Sequence, residues 1–362
     1  MNITFLIGNG FDRNLGLNTT YADFVKEYKC TRGRSETLKN FRSYIDENEK
    51  LWSAAEIALG QYTKEFDDGA AKSFAECQAD FCEHLASYLE EQEKRVDYEA
   101  SAEVICSAFS HLNNLLQSFP EQERNVLQGV YNTHNTETTI FQFINYNYTG
   151  TLENCLAIVK RDGKTLGYHT YGSNRFSHNV GKVCHVHGTI KKDMVFGVND
   201  VSQIAKPEIF DCENGDLYKN LLIKQQANAS YLENTDAKAA KLIQDSHLIY
   251  IYGMSIGETD KLWWDRICGW LAASEGHHLL IQKHSVPKKG VIPLDYQLFE
   301  RKLRSEFSQY GNLEEEKRKL IEKKIHVTDE NIFDAIKDIA APRIIPSESV
   351  KDEVEKVPAG AL

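Results

Sequence analysis

Short apolar runs alternate along this chain with apolar residues spaced three or four positions apart. The short runs are typical of buried strands, and they predict strands at residues 3–7, 139–144, 184–186, 194–197, 248–253, 278–282 and 325–327. The helical spacing predicts a helix from about residue 20 and others at residues 151–158, 216–233, 236–244, 260–273, 313–323 and 329–339. This alternation favours an α/β fold of Rossmann type with a mainly parallel sheet.

Residues 35–135 differ from the rest of the chain, because they lack glycine-rich turns and β-branched runs and are dense in Glu, Gln, Lys, Ala and Leu. Phe74, Cys77, Phe81 and Leu85 lie on one face of a predicted helix. We interpret this block as a large all-helical insertion. The predicted organisation has four parts. Residues 1–34 and 136–290 form a nucleotide-binding α/β core, and residues 35–135 form the insertion. Residues 291–345 are a C-terminal α/β extension of the core, and residues 346–362 are a flexible tail.

The charge balance argues against a nucleic acid partner, because 42 Lys and Arg stand against 53 Asp and Glu, a formal net charge of −11. No apolar stretch has the length of a membrane helix, and the first residues have no basic flank or cleavage site. We therefore expect a cytoplasmic protein without a membrane partner. The eight cysteines include no C-x2-C pair, so neither a zinc ribbon nor a disulfide framework is indicated, and no metal is expected.

Two strand ends lead into glycine-containing loops that permit close approach of a ligand. The first loop reads Gly8-Asn9-Gly10-Phe11-Asp12, and its amides can cradle a phosphate if the next helix points at them. The second runs from Gly253 through Ser255 to Asp260, whose carboxylate suits either a ribose hydroxyl or the cap of the next helix, capping being favoured. A purely structural glycine turn remains an alternative for the first loop.

Polar side chains also follow the strand predicted at residues 139–144. Asn145 and Asn147 lie where open α/β sheets gather ligand contacts, and an asparagine there can orient a water or a sugar hydroxyl. The alternative, favoured by the local sequence, is that both amides satisfy backbone groups in the turn.

Two histidines, His185 and His187, are spaced two apart, so in a strand both face the same side. An exposed histidine can act as a general base, and a histidine pair can bind a metal, but no carboxylate or cysteine at a recognisable spacing completes a metal site. A satisfied core histidine is the favoured interpretation of His185. The chain has neither a G-x-S-x-G elbow nor a G-x-x-x-x-G-K-[ST] loop.

Five motifs resemble, in the same order, those of the bacteriophage abortive infection AbiH family: FLIGNGFDRNLGLNTTYADF, LWSAAEIALG, FINYNYTGTLE, CHVHGTIKKDMVFGVND and LIYIYGMSIGETD. This resemblance covers about residues 3–283. The same order more remotely resembles SIR2-like proteins, which implies a SIR2-like α/β core that binds NAD.

The SIR2-like resemblance implies roles for individual residues. Asn147 becomes the ribose or water orienter and His187 the catalytic base. The expected dinucleotide contacts are Gly8, Asn9, Gly10, Phe11, Asp12, Asn145, Gly253, Ser255 and Asp260. Cys184 and Cys212 cannot supply the four-cysteine zinc module of sirtuin deacylases, so the resemblance points to the SIR2-like defence proteins that hydrolyse NAD.

The resulting hypothesis is a phage-defence effector that hydrolyses NAD or NADP at the N-glycosidic bond. One alternative is a nucleotide-sensing or partner-binding module without turnover. Another is a metal-dependent nuclease that uses Asp12, Asp260 and His187. The expected partners are the dinucleotide and either a second copy of the chain or a phage-derived trigger.

Overall fold

A computed structural model describes residues 1–31, 33–161, 165–230, 234–284, 287 and 294–341 of the chain. The described residues form one sheet with seven strands: β1 (Asn2–Ile7), β2 (Thr139–Asn145), β3 (Gly167–Tyr171), β4 (Asn174–His185), β5 (Leu248–Tyr252), β6 (His278–Gln282) and β7 (Ile325–Thr328). Their order across the sheet is β3-β4-β2-β1-β5-β6-β7. Every neighbouring pair is parallel except β3 and β4, so the mixed α/β fold is Rossmann-like, as the sequence predicts.

Helices flank the sheet and connect its strands. In chain order they are α1 (Gly10–Asn14), α2 (Tyr21–Tyr28), α3 (Glu36–Glu47), α4 (Ala55–Tyr62), α5 (Ala71–Glu93), α6 (Ala102–Ser110), α7 (Glu121–Thr133), α8 (Thr151–Lys160), α9 (Gly215–Leu222), α10 (Lys224–Ser230), α11 (Thr235–Gln244), α12 (Lys261–Ala273), α13 (Leu294–Ser308) and α14 (Glu315–Glu322). Thr20 caps α2, because its side chain accepts a hydrogen bond from the Asp23 amide. None of the described helices combines the length and the apolar character that crossing a membrane requires.

The central strands are buried on both faces, which explains their continuous apolar sequences. On one face Phe5 packs against Phe143 and Tyr250, with ring centroids 5.5 and 5.2 Å apart, beneath α6, α7 and α8. On the other face Ile251 and Trp264 belong to a core formed with α11 to α14. The sheet therefore has apolar cores on both sides that fix its strands.

Strand register brings several chain segments to one edge. Ile7 at the end of β1 is level with Asn145 at the end of β2 and with Tyr252 at the end of β5. Because all these strands are parallel, the segments that follow them emerge side by side. Ligands of open α/β sheets bind at this carboxyl edge.

The helical block divides its packing between two cores. Residues of α3, α4 and α5 form a third core with α2, with Tyr148 from the segment after β2, and with Phe196 and Phe210 from the segment after β4. Helices α6 and α7 instead pack on the sheet. The boundaries predicted at residues 35 and 135 stay a prediction, and the tail at 346–362 lies outside the described residues.

Several elements differ from those that the sequence pattern predicts. Residues 194–197 form no strand, and their neighbour Val198 makes only a single bridge to Ile223. Residues 329–339 contain only a 3-10 turn at Asp334–Ile336. The single helix predicted at 216–233 is divided into α9 and α10, and its last residues, 231–233, lie outside the described residues. Strand β3 and helix α13 are not predicted, because both expose much of their surface and therefore carry few apolar residues.

A half-buried carboxylate joins α7, α13 and β7, and it supports a pH-dependent stability. Glu123 accepts hydrogen bonds from Arg304 at 2.8 Å and from His326 Nδ1 at 3.0 Å. Burial alone raises the pKa of Glu123, but the His326 hydrogen bond and the charges of both partners outweigh burial and hold the pKa below its ordinary value. A depressed carboxyl pKa stabilises the fold at neutral pH, and this contribution is lost as the pH falls and Glu123 takes up a proton.

We predict that Glu123→Gln lowers the free energy of unfolding by about 1–3 kcal/mol at pH 7, because it removes charge-assisted hydrogen bonds. The difference from the wild type should shrink towards pH 4, where the wild-type carboxyl begins to protonate. Urea denaturation at both pH values tests this. An equal difference at pH 7 and pH 4 would contradict the ionic role of Glu123.

Candidate functional site

A cleft with a volume of about 1160 Å³ opens at the carboxyl ends of β1, β5 and β6. Both glycine loops line it, through Asn9, Gly10, Gly253 and Ser255. Helix α13 forms another part of the lining, α2 contributes Tyr21, and the helical block contributes Glu56 from α4 and the preceding residues Ser53 and Ala54. Its position is that of ligand sites in open α/β sheets.

The two glycine loops are packed directly against each other. The Gly10 amide donates to the Gly253 carbonyl at 2.8 Å, and the Gly8 amide donates to the Tyr252 carbonyl at 3.0 Å. The Phe11 amide donates back to the Gly8 carbonyl at 3.0 Å. These three amides are therefore paired with backbone carbonyls and do not form an open phosphate cradle.

Close approach of the two backbones explains the glycines. A Cβ atom added to Gly10 would overlap the backbone of Gly253, and Gly253 itself has a φ of 66°, which residues with a side chain rarely adopt.

We predict that Gly253→Ala lowers the melting temperature by several degrees, since strain of about 1–3 kcal/mol is typical of such positions. Differential scanning calorimetry tests this, with Gly257→Ala as the control, because among the described residues no atom beyond its chain neighbours lies within 4 Å of its Cβ position. Equal melting temperatures for the two variants would contradict the packing argument.

Two residues of the first loop point into the interior and do not line the cleft. Phe11 is fully buried with its ring edge against Phe333, at a centroid distance of 5.3 Å. Asp12 accepts hydrogen bonds from Thr149 at 2.6 Å and from Thr151 at 2.5 Å. Burial raises the pKa of Asp12 to about 6, although the two hydroxyl groups oppose the shift. Asp12 therefore joins the first loop to the start of α8.

The asparagine side chains at the end of β2 and two residues after it hold backbone groups. Asn147 donates through Nδ2 to the Gly8 carbonyl at 3.1 Å, and Asn145 accepts from the Asn147 amide at 3.0 Å. Asn145 is fully buried, and neither side chain lines the cleft. These contacts match the structural alternative, in which the amides organise the turn and the first loop.

The two histidines do not share a site, because β4 ends at His185 and the chain then turns at Gly188, which has a φ of 67°. His185 lies 2.6 Å from Glu153 and 3.0 Å from the Asn147 carbonyl. Burial lowers the pKa of His185, but the Glu153 hydrogen bond and charge raise it above its ordinary value. The Asn147 carbonyl and the Glu153 carboxylate beside the ring both favour its protonated form.

His187 is the neutral histidine of the pair. Its Nε2 atom lies 3.8 Å from Asp260 Oδ1, and its ring hydrogen-bonds the Tyr146 carbonyl. Burial and the nearby Lys224 charge hold the pKa of His187 well below its ordinary value. At neutral pH the ring therefore keeps an unprotonated nitrogen that can accept a proton.

Asp260 does not cap α12, although the sequence favours that role. It occupies the N-cap position without a side-chain cap hydrogen bond, and its buried Oδ1 atom has no hydrogen-bond partner among the described residues. Burial raises the pKa of Asp260 to about 6, while Lys224 opposes the shift. An unsatisfied buried carboxylate oxygen beside a neutral histidine is typical of a functional site.

A buried ion pair that the sequence did not predict lies against these residues. Lys224 Nζ is 2.7 Å from Glu56 Oε2, and their side chains are only 5% and 10% exposed. Glu56 also accepts from Tyr21 at 3.0 Å and from Tyr148 at 3.4 Å. The sequence feature that could have indicated this ion pair is Glu56, a single carboxylate in the apolar sequence SAAEIALG. Helix α4 thereby brings the helical block into the site.

The residues named for a metal-dependent nuclease are divided between these two environments. Asp12 bonds threonines near α8, whereas His187 and Asp260 face each other. Within the described part of the chain, no group of three or more His, Cys, Asp or Glu side chains is placed to hold a metal ion.

A second cleft of about 930 Å³ lies beside β4 and α11. Its lining includes His185, Cys184 and four lysines: Lys182, Lys192, Lys238 and Lys241. Burial raises the pKa of the Cys184 thiol to about 11, so this cysteine is protonated and a poor nucleophile at neutral pH. The glycine loops do not contribute to this cleft.

The sheet, with a cleft at its carboxyl edge, defines a Rossmann-like α/β protein. The family model described as bacteriophage abortive infection AbiH matches residues 4–280 of the 362-residue chain. The chain therefore belongs to the AbiH family, and its role lies in abortive-infection defence against phage. No curated protein and no solved structure matches the chain. The SIR2-like resemblance stays a prediction.

Proposed function

We propose that this AbiH protein defends the cell by binding a nicotinamide dinucleotide, NAD or NADP, in the cleft and hydrolysing its N-glycosidic bond. The observation that carries the proposal is the unpartnered Oδ1 atom of Asp260 opposite neutral His187. Thr259 and Lys261, the chain neighbours of Asp260, both line the cleft between the glycine loops and α13. A cleft of this volume is large enough for a dinucleotide.

The chemistry of the reaction suits this pair of side chains. The bond between ribose C1′ and the nicotinamide nitrogen breaks, and its electron pair leaves with neutral nicotinamide, so positive charge develops on the ribose. The Asp260 carboxylate, ionised above its pKa of about 6, stabilises that charge. Water adds to C1′ and passes its proton to His187, which yields the hydroxyl of ADP-ribose and, after release, one proton.

The remaining predicted residues have supporting roles in this scheme. Asn9, Gly10, Gly253 and Ser255 contact the dinucleotide from the cleft wall, and Asn147 positions the first loop through the Gly8 carbonyl. Glu56 and Lys224 set the charge around Asp260 and His187. A second copy of the chain or a phage-derived trigger stays a prediction, because no contact in the structure bears on either.

One observation favours a second candidate, a module that binds the dinucleotide without turnover. His187 is 7% exposed and does not line the cleft, and the Asn199 side chain donates to the Glu258 carbonyl at 2.8 Å beside it. Catalysis therefore requires this wall to open towards the ribose, whereas binding alone does not.

The two candidates differ in their products. We expect purified wild-type protein incubated with NAD to release nicotinamide and ADP-ribose in equal amounts. Both products are measured by chromatography. The variant Asn199→Ala removes the hydrogen bond to Glu258 and should release nicotinamide faster. Saturable binding of NAD to both proteins, with no nicotinamide formed by either, would contradict hydrolysis and support the binding module.

A further inference from the structure

The end of β6 lies at the same sheet edge as the glycine loops. Ile251 of β5 is level with Ile281 of β6, and each strand ends one residue later, at Tyr252 and Gln282. Since neighbouring strands are about 4.8 Å apart, the end of β6 is about 10 Å from the end of β1. Both Gln282 and Lys283 line the cleft.

Gln282 presents a polar group that nothing in the described protein satisfies. Its side chain is 3% exposed, yet its Nε2 atom has no hydrogen-bond partner among the described residues. Buried amide donors are normally paired, because leaving one unpaired is unfavourable. An acceptor bound in the cleft would pair with this donor.

Lys283 differs from the other lysines of the cleft. Lys261 and Lys302 each lie 3.6 Å from a carboxylate of their own helical segment, and their side chains are 57% and 74% exposed. Lys283 is half-buried and has no carboxylate within 4 Å in the ranges that the structure covers. Burial lowers the pKa of Lys283, against the opposing charge of Glu306, so a bound anion would favour its ammonium form.

We infer that Gln282 and Lys283 form a subsite for a phosphate monoester at the nucleoside end of the bound dinucleotide. The phosphate accepts a hydrogen bond from Gln282 Nε2 and pairs with the Lys283 ammonium group. This inference rests on the proposed function, because it places one nucleoside of the dinucleotide across the distance of about 10 Å between the ends of β1 and β6. It follows that the cleft prefers a dinucleotide that carries a 2′-phosphate, which NADP does and NAD does not.

Isothermal titration with ADP-ribose and with ADP-ribose 2′-phosphate tests the subsite without any turnover. We expect the wild type to bind the 2′-phosphate about 10- to 100-fold more tightly, the usual range for hydrogen bonds to charged groups. Lys283→Gln should abolish this preference. Lys261→Gln, which removes a paired and more exposed lysine of the same cleft, should retain it.

Three outcomes would overturn all or part of this inference. Equal affinities of the wild type for the two ligands would exclude the subsite and leave dinucleotide binding intact. The same preference in Lys283→Gln would exclude Lys283 as its cation. If neither ligand binds, the proposed function fails, and the subsite is then tested separately with inorganic phosphate. Thermal stabilisation of the wild type by phosphate, but not of Lys283→Gln, would support the subsite. No stabilisation of the wild type would exclude the subsite.

Discussion

Replacing His187 with alanine is expected to reduce nicotinamide release from NAD by about 10²- to 10⁴-fold, the usual contribution of a positioned general base. The affinity for ADP-ribose should change little, because His187 does not line the cleft that holds the ligand. The rate of release is measured by chromatography and the affinity by isothermal titration. A loss of rate at unchanged affinity separates a chemical role from a binding role.

The sequence supplies a matched control two residues away. His185→Ala removes the ion pair with Glu153 and should lower the melting temperature, but its ring lies in the second cleft and should alter the rate by less than a few-fold. An unchanged rate in His187→Ala, or an equal loss in both variants, would contradict the assignment of His187 as the base.

Breaking the buried ion pair is expected to produce the largest loss of stability. Lys224→Met leaves the Glu56 carboxylate without its cation, at a site where the two side chains are 5% and 10% exposed. Removal of one partner of a buried pair typically costs 3–5 kcal/mol, because the other charge stays buried. The free energy of unfolding from urea denaturation should fall by about that amount.

The double variant Glu56→Gln with Lys224→Met distinguishes this cause from simple loss of packing. Since no uncompensated charge remains, much of the lost stability should return, and the two substitutions should be strongly non-additive. Additive losses would show that the pair contributes little beyond shape. In addition, Lys224→Met alone should raise the pKa values of His187 and Asp260, because the Lys224 charge lowers both.

The sheet was the most predictable part of this fold. The apolar runs of β1, β2, β5 and β6 are buried on both faces, so their sequences carry a strong signal. Edge strand β3 and helix α13 expose polar residues on their outer surfaces, so their sequences lack the continuous apolar pattern by which the other elements are predicted. The pattern also could not show that residues 102–133 pack on the sheet. The spacing of apolar residues predicts that a helix has a buried face, but it does not identify the element that covers this face.

The candidate site was predictable in its loops but not in its charges. The glycine loops and Ser255 were found because strand ends followed by glycines have a recognisable pattern, and they line one cleft. The separation of His185 from His187 depends on where β4 ends, which period-two spacing cannot reveal. The pair of Glu56 and Lys224 joins residues 168 positions apart, so only the folded chain brings them together.

The most direct test is whether ADP-ribose binds in the cleft that both glycine loops line. Ser255→Trp fills that cleft from an exposed position, whereas Ala237→Trp places the same ring in the second cleft. Isothermal titration of the wild type and both variants should show one site per chain that is weakened at least tenfold by Ser255→Trp and unchanged by Ala237→Trp. Binding lost only in Ala237→Trp, or no binding to the wild type, would contradict the central claim.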